Sequence, residues 1–260
     1  MTQNALEPRA LLRASFDAAV AAADPLRILA PQLPPPDRIG RWRRTIVVGA
    51  GKAAASMAAA VERHWPQDAP LAGLVVTRYA HGLPCRRIEV VEAGHPVPDE
   101  AGERAAERIL QLAADAGEGD LLLALVSGGG SSLLALPADG VTIADLKAVT
   151  RQLLASGAPI QEINVVRKHL SRIQGGRLAQ ATRAQVLALV ISDVAGDDPS
   201  AIASGPCAPD PSTYRDARDV LRRWGVAAPP SVAERLRRGE AGEIDETPKP
   251  GDPLFARVDN

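Results

Sequence analysis

Three consecutive glycines framed by serines form the segment of this sequence best suited to binding an anion. The segment is listed in chain order as Ser127, Gly128, Gly129, Gly130, Ser131 and Ser132, and it directly follows the apolar run Leu121–Val126. Glycine lacks a Cβ atom, so the backbone here can approach a ligand closely. Amides that converge at a helix start attract phosphate, and serine hydroxyls add hydrogen bonds. We therefore expect residues 127–132 to bind phosphate groups, although the Walker A pattern occurs nowhere in the chain.

A second glycine segment, Gly49–Ala54, contains a lysine and matches the relaxed dinucleotide fingerprint G-x-G-x-x-[GA]. That fingerprint expects an acid after the next strand, where this chain has Thr77 and Arg78. The missing acid argues against NAD, whereas an arginine would suit the 2′-phosphate of NADP. Lys52 at the start of a helix opposes the helix dipole, and a nearby anion would offset that cost. Lys52 is therefore predicted to face an anion.

Aspartates cluster after the apolar run Gln185–Ile191. Asp193 and Asp197 are predicted to hold Mg²⁺ together with water and phosphate oxygens, because carboxylate oxygens are the ligands that this ion prefers. Asp193 could alternatively accept a proton from a substrate hydroxyl. Asp198 is better explained as a cap of a helix N-terminus.

A basic segment and a lone histidine are less informative. Asn164 and Lys168 lie about one turn apart on one helix face. The cations of this segment could neutralise a phosphate, but spacing alone favours a solvated charged face. His95 lies between Gly94 and Pro96, where a structural role in a stiff loop is more common than catalysis. Cys85 and Cys207 lack metal-like spacing, and neither receives a role.

Short apolar strands that alternate with helices must position these segments. The predicted strands are Thr45–Val48, Ala72–Thr77, Arg87–Glu92, Leu121–Val126 and Gln185–Ile191. The predicted helices are an amphipathic one from Pro8 to about Val20, then Ala53–His64, Asp99–Ala116, Thr142–Ala155 and Gln161–Ile173. Strands that are apolar throughout are buried on both faces. We therefore predict a Rossmann-like, doubly wound α/β fold, whose mostly parallel sheet has helices on both faces and binds ligands beyond the carboxyl ends of its strands.

The end of the chain differs in composition from the rest. Residues 240–253 (EAGEIDETPKPGDP) are polar and rich in proline, glycine and acid. The sequence therefore predicts one α/β domain over residues 1–239 and an exposed polar tail or linker over residues 240–260.

Composition excludes several classes of function. The 260 residues include 30 basic and 31 acidic side chains, so no positive excess favours nucleic acid or an anionic membrane. Two cysteines exclude a disulfide framework and fit a reduced compartment. The start does not resemble a secretory signal, and the longest apolar runs of about six residues fall far short of the ~20 in a membrane helix. A cytoplasmic protein is expected, and the sequence makes no prediction of oligomeric state.

Several motifs together resemble one family. The segments VVGAGKAA, VEAGHPVPDEAG, LVSGGGSSLLALP, NVVRKHLSRIQGGRLA and ISDVAGDDPSAIASGPCAPD occur between Thr45 and Asp210. As an ordered set they resemble the glycerate 2-kinase family, in which a Rossmann-like domain precedes a second domain; some members are called hydroxypyruvate reductases. The resemblance implies transfer of the γ-phosphoryl group of ATP to the 2-hydroxyl of D-glycerate, with Mg²⁺.

The resemblance also implies roles for individual residues. Lys52 would contact the reacting groups, and the loop Ser127–Ser132 would bind phosphates. Asn164, Arg167 and Lys168 match a segment near the nucleotide, and Asp193 and Asp197 match the family's S-D-V-x-G-D turn. Gln174 stands where the family often has lysine, and residues 240–260 would lead toward the family's second domain, which lies outside this chain.

Two other functions stay open from the sequence. An NAD(P)-dependent hydroxypyruvate reductase would use the fingerprint Gly49–Ala54. A non-catalytic nucleotide-binding module would keep the phosphate loop without turnover, which could also describe a kinase lacking its second domain.

Overall fold

Six parallel strands form the centre of the structure, a computed structural model that describes residues 7–260. The strands are β1 Thr45–Ala50, β2 Leu71–Arg78, β3 Ile88–Ala93, β4 Leu121–Ser127, β5 Gln185–Ile191 and β6 Val258–Asp259. Their order in the sheet is β3-β2-β1-β4-β5-β6, and every neighbouring pair runs parallel. This is the strand order of the doubly wound dinucleotide-binding folds, so the predicted fold class is confirmed.

Helices lie on both faces of this sheet. The α-helices of the described residues are α1 Pro8–Ala22, α2 Pro25–Ile28, α3 Pro36–Ile39, α4 Ala54–His64, α5 Glu100–Ala114, α6 Gly130–Leu133, α7 Ile143–Ser156, α8 Ile160–His169, α9 Arg177–Gln180, α10 Tyr214–Arg223 and α11 Pro230–Glu240. On one face, Met57 and Val61 of α4 pack against Val47. On the other, Ile109 of α5 packs against the group that contains Ile46 and Val48. Alternate side chains of β1 therefore enter different cores, which explains why the strand is apolar throughout.

The predicted helix over residues 161–173 ends earlier than expected. Helix α8 stops at His169 because the Ser171 hydroxyl accepts hydrogen bonds from the backbone N–H groups of Ile173 and Gln174, at 3.2 and 3.1 Å. Serine side chains commonly compete with the helix for backbone groups in this way. Helices α7, α8, α10 and α11 form a separate apolar cluster, in which Tyr214 is fully buried. This cluster holds α8 against α7 and α10.

The first helix forms where expected but covers nothing. Its apolar residues Leu11, Leu12, Phe16 and Val20 are all more than half exposed, and α1 contains no buried residue. No helix within residues 7–260 is both long and apolar enough to cross a membrane.

The exposed tail expected over residues 240–260 is wrong for about half of that segment. Glu246 accepts a hydrogen bond from the backbone N–H of Tyr214 at 2.9 Å, and Thr247 is 1% exposed. Farther on, Leu254 is buried, and β6 pairs with β5 in the register Val186↔Val258. The polar composition misled because several of these acidic and hydroxyl groups are paired with donors inside the fold. The boundary at residue 239 stays a prediction.

Candidate functional site

The loops that follow β1 and β4 lie side by side at the carboxyl edge of the sheet. The backbone N–H of Lys52 donates to the carbonyl oxygen of Gly128 at 2.8 Å. The N–H of Ala53 donates to the Ser127 hydroxyl at 3.1 Å. Because β1 and β4 are parallel neighbours, the strand order itself creates this contact. The lysine and the triglycine loop therefore belong to one site.

The helix at the end of the glycine loop has only one turn. Helix α6 has four residues, Gly130–Leu133, and starts at Gly129 with a left-handed φ of 86°. One turn of helix sums few peptide dipoles, so its N-terminus alone is a weak attractor of anions. Attraction of a phosphate must therefore come mainly from cationic side chains beside the loop.

Lys52 is one of these cations, and Asp193 lies next to it. The Lys52 Nζ and the Asp193 Oδ2 are 3.7 Å apart, and both side chains are about half exposed. A Cβ atom on Gly128 would lie 1.9 Å from the same Asp193 oxygen. Glycine at position 128 thus leaves room for this carboxylate. The structure brings together Lys52, Asp193 and the glycine loop, as the sequence predicted.

His95, which the sequence assigned to a structural loop, also reaches this site. Its Nε2 atom lies 2.8 Å from where a Cβ of Gly129 would be, and the Lys52 Cγ lies 3.2 Å from the same point. Its loop follows β3 and must pass the ends of β2 and β1 to reach β4. Burial lowers the pKa of His95, the charges of Lys52 and Arg78 lower it further, and Asp193 opposes them. Its position directly after a strand was the one available signal in the sequence.

Asn164 supports the glycine loop from the side of α8. Its Oδ1 accepts from the Ser204 hydroxyl at 3.1 Å, and its Nδ2 donates to the carbonyl of Ala201 at 3.2 Å. The hydroxyls of Ser204 and Ser131 are 2.9 Å apart. Asn164 therefore fixes the end of the loop through an intervening serine.

Gln174 supports the same loop end, and it does so with a neutral side chain. Its Nε2 donates to the carbonyls of Ser131 at 2.9 Å and Leu134 at 3.2 Å, and the residue is buried. The amide thus ties the one-turn helix α6 to the segment after α8.

Arg167 is the second cation beside the loop. Its guanidinium donates to the Asn164 Oδ1 at 3.4 Å. Burial alone lowers the pKa of Arg167, and within residues 7–260 no carboxylate forms an ion pair with it. With Ser131 and Ser132 it lines a cavity of about 30 Å³. A partly buried guanidinium without a carboxylate partner is suited to bind a phosphate.

Lys168, by contrast, is already paired. Its Nζ lies 3.4 Å from the Asp210 Oδ1, and both side chains are almost fully buried. Burial would raise the pKa of Asp210, but the charge of Lys168 and hydrogen bonds from Ser212 lower it overall. Asn164 and Lys168 do share a helix face, as their spacing indicated, but that face contacts the segment from Ala201 to Asp210. Lys168 is thus engaged in an ion pair within the fold.

Asp193 and Asp197 have different surroundings. Asp197, at a positive φ of 52°, lines a groove beside β5 with Ser192 and Asn260. In the described part of the chain, no three His, Cys, Asp or Glu side chains converge on a point where a metal ion could bind. Asp193 also faces the Lys52 ammonium, so the protein groups alone, without phosphate oxygens and water, do not supply a full set of ligands for Mg²⁺. Asp198 accepts from the Ser200 N–H at 2.9 Å and so stabilises a turn. The helix-capping role expected of it is wrong, because the short 3-10 helix that follows, Ile202–Ser204, has Ala201 at its N-cap position.

The motif resemblance is supported by comparisons that cover most of this chain. A provisionally named hydroxypyruvate reductase of Agrobacterium vitis is 51% identical over 97% of this chain and 56% of its own length. A protein of Pyrococcus horikoshii named glycerate 2-kinase is 42% identical over 79% of this chain and 47% of its own. The solved structure of a glycerate kinase from Thermotoga maritima matches with a TM-score of 0.81 and 40% identity, over 97% of this chain and 58% of that one.

The chain thus spans about half the length of the curated relatives that it matches. Residues 11–237 match the model of a family described as a domain of unknown function, DUF4147. That match includes every residue that we place at the glycine loop, and the chain belongs to the DUF4147 family.

Proposed function

We propose that this protein takes part in ATP-dependent phosphoryl transfer to the 2-hydroxyl of D-glycerate, as the N-terminal part of a glycerate 2-kinase. The observation that carries the proposal is the hydrogen bond between Lys52 and Gly128, which keeps a cation beside the triglycine loop. The names of the relatives from P. horikoshii and T. maritima support the substrate and the reaction.

Phosphoryl transfer needs alignment and charge stabilisation more than covalent chemistry from the protein. Lys52 would offset negative charge on glycerate or on the migrating phosphoryl group, and the amides of residues 127–132 would hold the phosphates. Arg167 lies at the other end of this loop, where its guanidinium would bind a second phosphate. Asn164 would fix the position of the glycine loop through its hydrogen bond with Ser204. Lys168 would fix the position of α8 through its ion pair with Asp210.

Mg²⁺, when bound to the nucleotide, would neutralise charge on its phosphate oxygens. Asp193 and Asp197 would contribute carboxylate oxygens to the ion only alongside phosphate oxygens and water, because Asp193 also faces the Lys52 ammonium. The free thiols of Cys85 and Cys207 support the reduced, cytoplasmic setting that we propose for this activity.

The proposal is tested by titrating ATP into the purified chain in a calorimeter. Lys52→Met and Arg167→Leu each remove a charge-assisted contact, so each should weaken ATP binding by about tenfold or more. Arg151→Leu is the matched control, because it removes a positive charge from the exposed face of α7. Wild-type affinity in both site variants would refute the assigned roles. Consumption of ATP with D-glycerate as acceptor then measures turnover.

The reductase alternative predicts oxidation of NADH or NADPH with hydroxypyruvate, which absorbance would detect. The structure gives it little support, because the N–H groups of Lys52 and Ala53 already donate to Gly128 and Ser127 and are not free for a pyrophosphate. The non-catalytic alternative predicts saturable ATP binding and no phosphoglycerate.

A further inference from the structure

The ring of His95 lies at the site and has no hydrogen-bond partner there. Within residues 7–260, neither ring nitrogen of His95 has a hydrogen-bond partner, whereas both ring nitrogens of the buried His169 do. The hydroxyls nearby are engaged: Ser132 donates to the Gly129 carbonyl at 3.1 Å, and Ser131 contacts Ser204. His95 therefore has hydrogen-bonding capacity to offer to a ligand at the loop.

The charges around His95 indicate which part of a ligand it would take. Lys52 and Arg78 face the ring as cations, and Asp193 faces it as an anion. Burial and the two cations lower the pKa of His95, so the ring is neutral at neutral pH. A small hydroxy acid has one charged end and at least one neutral hydroxyl. Lys52 would pair with the charged end of the acid, and the neutral imidazole of His95 would hydrogen-bond a neutral hydroxyl.

We propose that His95 contacts the acceptor substrate and that its Nε2 hydrogen-bonds the 2-hydroxyl, so that the site selects 2-hydroxy acids over acids lacking this group. The inference rests on the proposed function, since it assumes that the acceptor lies between Lys52 and the glycine loop. A site built to hydrogen-bond a substrate hydroxyl rejects the analogue without it, because the polar group is otherwise left unpaired.

The test compares two ligands in a calorimeter, with the 260-residue chain saturated with ADP. D-glycerate carries the 2-hydroxyl, and 3-hydroxypropionate is the same acid without it. The wild-type chain should bind D-glycerate about tenfold more tightly. His95→Leu should remove this preference by weakening D-glycerate binding alone. His95→Gln, which places an amide near the position of Nε2, should restore part of it.

His81→Leu is the matched control, because His81 is exposed in a different loop and outside the site. Thermal unfolding of each variant shows whether it is folded. Equal weakening of both ligands by His95→Leu, or no weakening, would overturn the inference and leave the kinase proposal standing. A wild-type chain that binds ADP but shows no preference for D-glycerate would also overturn it. Absence of any D-glycerate binding would instead refute the proposed acceptor, and the inference with it.

Discussion

Glu246 provides a quantitative test of how the end of the chain is held. Its carboxylate is 3.2 Å from the His169 Nε2 and accepts from the Tyr214 N–H at 2.9 Å and from the Lys249 ammonium at 3.1 Å. Burial would raise the pKa of Glu246, but these hydrogen bonds outweigh it and lower the pKa from 4.5 to about 2. At about 1.4 kcal/mol per pKa unit, the shift corresponds to roughly 3 kcal/mol. The side chain is one third exposed, so solvent screening reduces the expected contribution to about 1–2 kcal/mol.

The sign of the pH dependence follows from the direction of the shift. A carboxyl whose pKa is lowered by folding stabilises the protein above its unfolded pKa, near 4.5. That contribution decreases as the pH falls from 4.5 toward about 2. Glu246→Gln should therefore lower the free energy of unfolding by about 1–2 kcal/mol at neutral pH and by much less in acid.

Urea unfolding at neutral pH and at several acidic values measures this difference. Glu118→Gln serves as the control, because Glu118 is exposed in the turn before β4. A Glu246→Gln cost that stays constant with pH, or that is absent at neutral pH, would refute the reasoning.

Two further substitutions test the sheet and its supports. Gly49→Ala places a Cβ 2.1 Å from the carbonyl oxygen of Leu125 in the neighbouring strand, so thermal unfolding should show that the free energy of unfolding falls by at least about 2 kcal/mol. Gly117→Ala is the control and should be nearly neutral, because its added Cβ meets nothing within 4 Å. Equal effects of the two substitutions would contradict the argument. Asp120→Asn weakens the two hydrogen bonds between the buried carboxylate and Arg43, both 2.9 Å. In urea unfolding at neutral pH, this variant should lose about 2 kcal/mol of its free energy of unfolding. A loss that persists unchanged in strong acid would contradict the charge-based explanation.

The five longer strands could be predicted because apolar residues dominate each of them, although β3 also contains Glu89 and Glu92. Their observed bounds differ from the predicted ones by at most two residues at either end, and the run Gln185–Ile191 matches β5 itself. The strand β6 could not be found in this way, since Val258–Asp259 is two residues long and pairs with β5 across a long stretch of chain. Its pairing depends on the fold already being present.

The site was partly predictable for the same reason. Loops that directly follow strands meet at one edge of a parallel sheet, which places Lys52 beside Gly128. The partner of Lys168 could not be foreseen, because Asp210 reaches it only through the folding of the segment after β5. His95 was undervalued because its loop crosses two strand ends, and no local pattern reveals that path.

The strand order also has a consequence for how the protein folds during synthesis. β1 pairs with β2 early in the chain, but its other edge pairs with β4, where Thr45 meets Leu121. Until β4 leaves the ribosome, that edge of β1 presents unpaired backbone groups, and such an edge can capture a wrong strand. Closing so long a connection is entropically slow. For β1 this vulnerable period of biosynthesis therefore ends when Leu121–Ser127 leaves the ribosome, which is also the moment at which the glycine loop gains its supporting strand.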